Sequence, residues 1–338
     1  MDILTDKKLA NYVTMRLGGP AAVIVAVKSE QDIAKAVSFA KSQHLPIITL
    51  GSGSNIIFRD SGFHGLVIIN KIPGLSLDQT SGLMQIGSGV IWNDVVQQAV
   101  SANLSGVEAL ALIPGTVGAA PVNNIGAYGQ EIKDSLISLK AFDAESDQFV
   151  EITNTECDFS YRHSRFKNQE HGRFVICQIN LQLCPTQAEY QPPNYPSLLS
   201  ELKRQNIIHP TVCDVQQVVA NIRRNRLPDP DRLASTGSFF KNPIANTATV
   251  SRLLKDYPAM PYFPLPDGIA KLAAGWLIEA AGLKNYRQSG IWVYDKQALV
   301  LINESARSFN DLWLMAEHII KTVNEKFGVI LETEPEII

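Results

Sequence analysis

The residues with the clearest chemical potential form an uncharged, glycine-rich stretch, IPGTVGAAPVNNIGAYGQE at 113–131. It contains four glycines, two prolines and an asparagine pair, and no charged side chain lies between Glu108 and Glu131. Glycine lets the backbone run close to a ligand, and successive N–H groups of such a loop form a concave donor surface that suits a diphosphate. We interpret the stretch as an amide cradle for a diphosphate. A buried turn of small residues that only packs is the alternative.

A second loop of this kind is GSGSN at 51–55, which follows a predicted strand. It begins like the dinucleotide fingerprint G-x-G-x-x-G, but Ile56 occupies the third glycine position and the next residues are typical of a strand rather than a helix. The loop therefore keeps only the ability to offer amides and hydroxyls to a phosphate. Gly87 and Gly89 form a similar pair, but Trp92 stands where the third glycine belongs, so we interpret that pair as a structural turn.

Cations cluster in CDFSYRHSRFK at 157–167, where Arg162, Arg165 and Lys167 lie beside a tyrosine and two serines. An anion-binding loop is one interpretation of this pattern. A solvated basic loop is the other, because most such runs are solvated.

A second group of cations, Arg223, Arg224 and Arg226, crowds the last turn of a predicted helix before Pro228. Favourable interaction with the helix dipole, ~0.3–1 kcal/mol for each cation, explains such a cluster without a ligand. The functional interpretation is that Arg223 and Arg226, three positions apart and so on one helix face, bind a phosphate.

Two further segments carry groups that could move a proton. In STGSFFKNP at 235–243, the hydroxyl of Ser238 lies beside two phenylalanines, which suits proton donation in a water-poor pocket. In the tail, Glu332, Glu334 and Glu336 alternate, so they would share one face of a strand. Either the tail is a frayed, solvated acidic end, or one of these glutamates reaches a site.

Hydrophobic periodicity predicts the elements that carry these segments. Helices with N-caps at Ser29, Asn93, Asp214 and Asn310 are predicted to end near 43, 104, 226 and 327, and a further helix covers 271–283. Strands are predicted at 45–51, 65–70, 83–89, 137–144, 174–183 and 297–303. The proline-rich stretch 185–211 is predicted to be a loop or domain connection.

Composition excludes several classes of protein. The 338 residues carry a net charge of −3, which gives no electrostatic footprint for nucleic acid or an anionic membrane. No apolar run reaches the roughly 18 residues that a membrane span needs, and the N-terminus lacks the apolar core of a signal peptide. The length predicts about two domains. We therefore expect a cytoplasmic protein with no nucleic-acid or membrane partner.

Cysteine and histidine usage argues against a metal centre. The four cysteines show no C-x-x-C spacing and the six histidines form no H-x-H or H-x-x-x-H pair. Single buried thiols in a reducing compartment are the expected state, and no metal is predicted.

The ordered motifs resemble one family, the UDP-N-acetylenolpyruvoylglucosamine reductases (UDP-N-acetylmuramate dehydrogenases), FAD enzymes of bacterial peptidoglycan synthesis. The resemblance covers nearly the whole chain, through LGSGSNIIF, ALIPGTVGAAPVNNIGAYG, YRHSRFK, RLPDP, GSFFKNP, KLAAGWLIEAAGL, QALVLIN and LETEPE. The loop near Tyr195 is similar to that of the subgroup that folds a tyrosine-bearing loop over the substrate. The resemblance implies NADPH-dependent, FAD-mediated reduction of UDP-N-acetylglucosamine enolpyruvate to UDP-N-acetylmuramate.

The resemblance also implies an α+β fold, in which an FAD-binding portion of the vanillyl-alcohol-oxidase (PCMH) type precedes an α/β substrate-binding domain. The implied parts are an FAD-binding portion of two subdomains at 1–185, a connecting loop with Tyr195 at 186–212, and a substrate-binding domain with a catalytic tail at 213–338. FAD is bound non-covalently and NADPH is the reductant. The implied FAD contacts are Gly51, Ser52, Gly53, Ser54, Asn55, Ile113, Pro114, Gly115, Gly118, Ala119, Ala120, Gly126 and Tyr128.

Residue roles follow from the implied reaction, in which a hydride passes to C3 of the enolpyruvyl group and C2 then needs a proton. Arg162 matches the arginine that holds the substrate carboxylate, for which a planar guanidinium is suited. Ser238 matches the serine that protonates C2, and Glu334 matches the glutamate that helps stabilise the enolate. The implied contacts to the UDP part are Tyr195, Arg223, Arg226, Asn242 and Gln297.

Two departures from the family pattern leave alternatives open. The tail reads L-E-T-E-P-E, so Glu332 or Glu336 could be the counterpart, and spacing from Leu331 favours Glu334. Arg226 stands where the family usually has lysine before LPDP, which keeps the charge but changes the geometry toward a diphosphate.

Two other functions compete with this one. An oxidase or dehydrogenase could use the same FAD scaffold on another substrate, but GSFFKNP and the arginine cluster argue against it. A non-enzymatic nucleotide-sugar binder could have kept the fold, but counterparts of all three catalytic residues are present.

Overall fold

The computed structural model of the protein describes residues 3–167, 170–186 and 190–338. They form two compact units. The first unit contains the described residues up to Lys7, then Ala21–Ser52 and Phe63–Arg224, and the second contains Lys8–Pro20, Gly53–Gly62 and Asn225–Ile338. Two short N-terminal segments therefore belong to the same unit as the C-terminal part of the chain.

The helices and strands are as follows. The α-helices are α1 Glu30–Ser42, α2 Trp92–Ser101, α3 Pro196–Arg204, α4 Val212–Arg226, α5 Thr247–Asp256, α6 Ala274–Ala280 and α7 Phe309–Phe327. The strands are β1 Ile3–Lys8, β2 Pro20–Val27, β3 Ile47–Leu50, β4 Ile56–Ile57, β5 Phe63–Asn70, β6 Leu75–Leu77, β7 Leu83–Gly87, β8 Leu104–Ser105, β9 Gly126–Ala127, β10 Gln130–Glu131, β11 Leu136–Asp143, β12 Gln148–Thr153, β13 Phe174–Gln182, β14 Cys184–Pro185, β15 Ile244–Asn246, β16 Tyr262–Pro264, β17 Ile269–Leu272, β18 Arg287–Gln288, β19 Ile291–Val293, β20 Leu301–Asn303 and β21 Glu336–Ile337.

Two larger sheets organise the first unit. One has the order β1-β2-β5-β3, with β2 and β3 both parallel to β5. The other has the order β12-β11-β13-β7-β6, and its pairings are antiparallel. The parallel sheet is covered by α1, whose apolar stripe is fully buried with β2 and β5 in one core. The Ser29 hydroxyl accepts from the Asp32 N–H at 3.2 Å, which confirms the predicted N-cap.

The second unit packs α5, α6 and α7 with two three-stranded antiparallel sheets, β15-β17-β16 and β18-β19-β20. The long helix α7 supplies most of the apolar face and ends at Gly328, whose φ of +64° confirms the predicted left-handed C-cap. Met15, Leu17 and Ile57 from the two N-terminal segments lie in the same core. Helices and sheets thus occur in both units.

Two predicted N-caps are wrong because the real cap lies slightly upstream. Helix α4 begins at Val212, where the Thr211 N–H donates to the Asp214 carboxylate at 2.8 Å and the Asp214 N–H donates back to the Thr211 hydroxyl at 3.2 Å. In α7 the cap is Ser308, which forms the same reciprocal pair with Asp311, so Asn310 lies inside the helix. Both are capping boxes of the S/T-x-x-D kind.

Asn93 is also not an N-cap, because α2 begins one residue earlier. Its side-chain Oδ1 instead accepts from the Leu112 N–H at 2.9 Å. An asparagine in the first helical turn is free to bind a neighbouring loop, and here it fixes the residue that precedes the glycine-rich stretch.

Three predicted segments have different bounds. The helix predicted at 271–283 shrinks to α6, because Ile269–Leu272 pair as β17. The strand predicted at 297–303 shrinks to β20, since the Val300 N–H closes a turn onto the Gln297 carbonyl. The stretch 185–211 contains α3, with Pro196 in its first turn, where its missing N–H costs nothing. Leu198 and Leu202, four residues apart, bury the inner face of α3.

Packing divides the chain at 224/225, so α4 is almost entirely in the first unit, whereas the sequence-based partition begins the substrate domain at 213. That partition, at 1–185, 186–212 and 213–338, assigns functions to parts of the chain, and it stays a prediction. Residues 1–2, 168–169 and 187–189 of its parts lie outside the described residues.

The cysteines are all free thiols, as expected, but only two are buried. Burial raises the pKa of Cys157 and Cys177 to about 12, which keeps both thiols protonated and inert. Cys184 and Cys213 are exposed, so the expectation of buried thiols is wrong for them.

Candidate active site

The glycine-rich stretch lies in the first unit, and its first half is held against the turn after β7. The Val117 N–H donates to the Val90 carbonyl at 2.9 Å, and the Gly118 N–H donates to the Ser88 carbonyl at 2.8 Å. Gly118 has no room for a side chain, since an added Cβ would lie 2.6 Å from the Ser88 Cβ. Part of the glycine content therefore serves close packing, which is the alternative weighed above.

The amides of this stretch divide into used and unused donors. The N–H groups of Val117, Gly118, Ala119 and Ala120 donate to protein carbonyls. In the described part of the chain, the N–H groups of Gly115 and Thr116 make no such bond. Gly115 also has a φ of +129°, a conformation that favours glycine. In this half of the stretch, only the amides before Val117 are therefore available for the predicted amide cradle.

The two predicted phosphate loops meet at Gly51 and Thr116. A Cβ added at Gly51 would lie 2.3 Å from the Thr116 hydroxyl oxygen, so glycine is required there. That hydroxyl is buried, and it has no hydrogen-bond partner among the described residues. Buried polar atoms are normally paired, so an unpaired hydroxyl beside unused amides fits a ligand oxygen. The residues present therefore fit a bound diphosphate group.

The Gly87–Gly89 turn is structural, as predicted. Its N–H groups donate to the carbonyls of Gly74, Cys177 and Ile72, so they have none to offer to a ligand.

Arg162 sits in a tight turn of the basic loop with a strained backbone. Its φ is +56°, which is rare for a bulky side chain and is a frequent mark of functional positions. Ser160 and His163 bridge around it, and its Nη2 donates to the Gly126 carbonyl at 2.8 Å. The predicted catalytic arginine thus lies against the second half of the glycine-rich stretch.

Two buried side chains hold this turn in place. The Asn124 Nδ2 donates to the Ser160 carbonyl at 3.1 Å and to the Glu131 carboxylate at 2.8 Å. The Ser164 hydroxyl donates to the Val122 carbonyl at 2.7 Å. Both side chains are fully buried. The strain at Arg162 is therefore supported by hydrogen bonds on either side of it.

The other two cations of the loop, Arg165 and Lys167, bind other side chains. Arg165 is bound to Glu170, and Lys167 donates to the Asn123 side chain at 2.6 Å. A freely solvated basic loop, the alternative considered above, does not describe these contacts.

Arg223 lies close enough to Arg162 for their charges to interact. Burial lowers the pKa of its guanidinium, the charge of Arg162 lowers that pKa further, and Tyr128 opposes both. One Nη donates to the Leu112 carbonyl at 3.2 Å, whereas the buried Nε has no partner among the described residues. Two arginines in a partly buried place form a strong site for an anion.

Tyr195 joins the same part of the first unit. Its ring meets the Tyr128 ring edge-on, with 5.5 Å between centroids. Arg226 is different, because it is the exposed last residue of α4. Of the predicted UDP contacts, Tyr195 and Arg223 are therefore grouped near Arg162, whereas Arg226 is assigned to the second unit.

In the second unit, Ser238 is placed by backbone pairing. It bridges to Val300, and the next N–H, of Phe239, donates to the Leu299 carbonyl at 2.7 Å. Phe239 and Phe240 are fully buried and meet edge-on at 5.0 Å. Ser238 itself is half-buried. The role of the Ser238 hydroxyl beside these rings stays a prediction.

Asn242 and Gln297 both reach the start of α6. The Asn242 Oδ1 accepts from the Ala274 N–H at 3.0 Å. The Gln297 Oε1 lies 2.6 Å from where a Cβ would stand on Gly275, so the glutamine amide packs closely on this glycine. The structure thus brings these two predicted contacts together.

The acidic tail is ordered by pairing, so a frayed end is wrong. The Lys241 N–H donates to the Glu332 carbonyl and the Glu334 N–H to the Phe239 carbonyl, each at 2.9 Å. Strand β21 then pairs in parallel with β4. The Glu332 side chain is 75% exposed and pairs with Lys241, while Glu334 is half-buried. Glu334 is thus held beside the Ser238 segment by one backbone bond.

Several supporting residues escaped the sequence analysis. Thr116, Asn124 and Ser164 lie inside motifs that were noticed for their glycines and cations. The asparagine-glycine spacing of NNIGAYG is a usable signal, because a buried asparagine tolerates the left-handed backbone that Asn124 adopts at φ +41°. The close approach of Thr116 to Gly51 and the bond of Ser164 to Val122 each join segments distant in sequence.

The described residues contain neither a metal-binding cluster nor a membrane-spanning helix. No group of three or more histidine, cysteine or acidic side chains is arranged to hold a metal ion. No helix within the described ranges is long and apolar enough to cross a membrane.

Comparison with known proteins places the chain in a family. A family model described as FAD binding domain matches residues 21–150, and the model of the UDP-N-acetylenolpyruvoylglucosamine reductase C-terminal domain matches residues 229–338. The UDP-N-acetylenolpyruvoylglucosamine reductase of Ralstonia nicotianae is 41% identical, with 98% of this chain and 97% of that protein covered. The enzyme of the same name from Pseudomonas aeruginosa is 38% identical, with 97% of each covered.

Solved structures agree on the fold. The reductase of this name from Thermus caldophilus has a TM-score of 0.68 at 23% identity, covering 99% of this chain and 98% of that one. The 6-hydroxy-D-nicotine oxidase of Arthrobacter nicotinovorans has a TM-score of 0.55 at 15% identity, covering 97% and 86%. These likenesses confirm the predicted α+β fold with a PCMH-type FAD-binding portion. The chain belongs to the UDP-N-acetylenolpyruvoylglucosamine reductase family of FAD-dependent oxidoreductases.

Proposed function

We propose that the protein reduces UDP-N-acetylglucosamine enolpyruvate to UDP-N-acetylmuramate, with NADPH as the reductant. The observation that carries the proposal is the pair of arginines in the first unit: Arg162, strained and clamped by buried side chains, beside Arg223. A substrate with both a carboxylate and a diphosphate needs such a pair. The full-length match to reductases of this name supports the same substrate.

FAD, when bound, supplies the hydride transfer that links NADPH to the enolpyruvyl double bond. The protein holds its diphosphate through the loops at 51–55 and 113–128, the residues already named as FAD contacts. Gly51, Gly115 and Thr116 contribute most. Among the described residues, the Gly115 amide and the Thr116 amide and hydroxyl have no partner, and Gly51 lets the two loops approach closely. Binding is non-covalent. Backbone dipoles rather than side-chain charges stabilise the diphosphate there.

Three side chains act on the enolpyruvyl group. Arg162 binds the carboxylate and fixes the plane of the double bond. The hydride reaches C3, the electron pair moves toward C2, and the Ser238 hydroxyl gives the proton that C2 needs. A serine hydroxyl is a poor acid, so orientation and the basicity of the enolate must drive this transfer. Glu334 is the third side chain, and its role is at the charge that develops next to C2.

The nucleotide is held by separate contacts. Tyr195 packs against the uridine part, and Arg223 and Arg226 bind the diphosphate, with arginine at 226 giving two-pronged contacts where lysine gives one. Asn242 and Gln297 complete the set. The site acts on a nucleotide sugar in the cytoplasm, and the parts proposed for it are FAD binding at 1–185, the Tyr195 loop at 186–212 and substrate binding at 213–338.

The test is direct. Purified protein is expected to be yellow, to consume NADPH over many turnovers only when the enolpyruvyl nucleotide sugar is present, and to yield a product two hydrogens heavier by mass spectrometry. A colourless protein that binds UDP would instead support a nucleotide-sugar binder. A yellow protein that oxidises other substrates but leaves the enolpyruvyl compound unchanged would support an oxidase on this scaffold.

A further inference from the structure

Glu108 is a buried carboxylate that no step of the proposed reaction uses. It is 1% exposed and lies in the first unit, just before the glycine-rich stretch. A charge so buried is unfavourable unless donors surround it. Its Oε2 accepts from the Gly106 N–H at 2.7 Å, and its Oε1 accepts from the Gln130 side chain at 2.9 Å and from the Tyr190 hydroxyl at 2.7 Å. Three donors from separate segments thus converge on one carboxylate.

The bond from Tyr190 has a fixed direction. Burial raises the pKa of the Tyr190 phenol, and the neighbouring Glu108 raises it further. The phenol therefore remains protonated far above neutral pH, and its O–H always donates to Glu108.

Tyr190 begins the segment that ends in Tyr195. This segment lies along the β9–β10 turn: a Cβ added at Gly129 would be 3.4 Å from the Pro193 Cβ and 3.6 Å from the Tyr195 Cβ. The Tyr195 ring meets Tyr128, and α3 follows at once, with Leu198 in the core. The C-terminal end of the segment is thus anchored by a helix, and its N-terminal end by the Tyr190–Glu108 bond.

We propose that Tyr190 and Glu108 are positioning residues for the substrate, because their hydrogen bond fixes the segment that carries Tyr195. The inference rests on the proposed role of Tyr195 in binding the uridine nucleotide. Without the bond, the segment keeps its helix anchor, and its other end is held only by packing of the residue-190 ring against the core. Tyr195 then samples more positions, and binding of the nucleotide must restore the order at a cost in affinity.

The size of the effect is limited by water. Glu108, Gln130, Tyr190 and Pro193 line a cavity of about 550 Å³, so a water molecule can replace the missing donor in part. A lost hydrogen bond to a charged group otherwise changes an equilibrium by roughly tenfold or more. We therefore expect Tyr190→Phe to weaken UDP binding about fivefold to tenfold.

The experiment is a double-mutant cycle on the FAD-loaded full chain. UDP binding is measured by calorimetry for wild type, Tyr190→Phe, Tyr195→Ala and the double variant, with Tyr262→Phe, an exposed tyrosine of the second unit, as the matched control. The proposal predicts weaker binding and a higher KM for Tyr190→Phe, with unchanged flavin reduction by NADPH. It also predicts that the effect disappears when Tyr195 is already alanine. An undiminished effect in the Tyr195→Ala background would overturn it.

Hydrogen exchange separates this inference from the proposed function. Tyr190→Phe is expected to raise exchange of the Tyr195 amide, which donates to the Pro193 carbonyl, about tenfold in free enzyme, while α4 exchanges as in wild type. Unchanged exchange of the Tyr195 amide would overturn the inference, whatever the substrate. Failure of wild type to bind UDP, together with raised exchange in the variant, would instead count against the proposed function and leave the positioning role supported.

Discussion

The Arg162 turn in the first unit and the Ser238 segment in the second are held in opposite ways. Arg162 has a left-handed backbone supported by side chains, with Asn124 donating to the Ser160 carbonyl and Ser164 to the Val122 carbonyl. Ser238 lies in an extended segment supported by main-chain bonds to Leu299 and to the tail.

The difference predicts how sensitive each position is to substitution of its neighbours. A side-chain hydrogen bond disappears with one substitution, whereas a main-chain bond survives almost any substitution other than proline. The position of Arg162, the proposed carboxylate-binding residue, should therefore depend on its neighbours, while the position of Ser238, the proposed proton donor, should be insensitive to them. A strained arginine also needs this support, because nothing in its own backbone preference favours φ +56°.

Within the Arg162 turn, the largest effect is expected at the arginine itself. Arg162→Ala removes the charge-assisted contacts to the substrate carboxylate, and kcat/KM for the enolpyruvyl substrate should fall about 10²–10³-fold. Steady-state assays measure the loss. Arg204→Ala, on the exposed face of α3, is the matched control and should stay within about twofold of wild type. Equal activity of the two variants would contradict the role of Arg162.

The comparison is sharpened by changing one support in each unit. Asn124→Ala removes three side-chain hydrogen bonds and places alanine at φ +41°, so the free energy of unfolding should fall by about 2–4 kcal/mol and KM should rise about tenfold. Thr333→Val, next to the main-chain bridge to Phe240, should change stability by no more than about 0.5 kcal/mol. Urea unfolding measures both. A larger loss of stability for Thr333→Val than for Asn124→Ala would contradict the difference between the two segments.

Acid should weaken the first unit through Asp143. The Arg173 guanidinium lowers the pKa of this 5% exposed carboxyl well below its usual range. The stabilisation is fully present above the unfolded pKa of about 4, and it is lost as the pH falls below that value. We expect Asp143→Asn to lower stability by about 1–3 kcal/mol at pH 7 and to flatten the decline between about pH 5 and pH 3. Urea unfolding at stepped pH measures this, and an unchanged slope would contradict it.

The smallest effect is expected at Glu332. It is exposed and pairs with Lys241 at 3.5 Å, so Glu332→Gln should alter kcat less than about twofold and stability by less than about 0.5 kcal/mol. Glu334→Gln, in the same tail, should lower kcat about 10²-fold, because it removes stabilisation of the developing charge. Turnover assays of the two variants decide which glutamate acts. The reverse order of effects would assign the role to Glu332.

The sequence predicts most of the local elements but fewer of the supports. Ser29, the stripe of α1 and the end of α7 at Gly328 follow from local spacing, so periodicity and capping rules find them. Helix α3 was missed because its prolines indicate a loop, although Pro196 at the first turn is compatible with a helix.

In the candidate site, too, some residues can be found from the sequence and others cannot. Arg162, Ser238 and Glu334 stand in recognisable motifs, whereas the Asn124 and Ser164 bonds join segments about 40 residues apart. Only tertiary packing brings such partners together. Resemblance to family motifs therefore identifies the proposed reacting groups more readily than the groups that hold them.

The most direct test of the account is a half-reaction experiment on Ser238→Ala, with Ser251→Ala on the exposed face of α5 as control. In stopped-flow, NADPH should reduce the flavin of both variants at the wild-type rate. The reduced Ser238→Ala enzyme should then turn over the enolpyruvyl substrate about 10²–10⁴-fold more slowly, because C2 lacks its proton donor. Equal slowing of both half-reactions, or wild-type reoxidation by the substrate, would contradict the central claim that Ser238 completes the reduction.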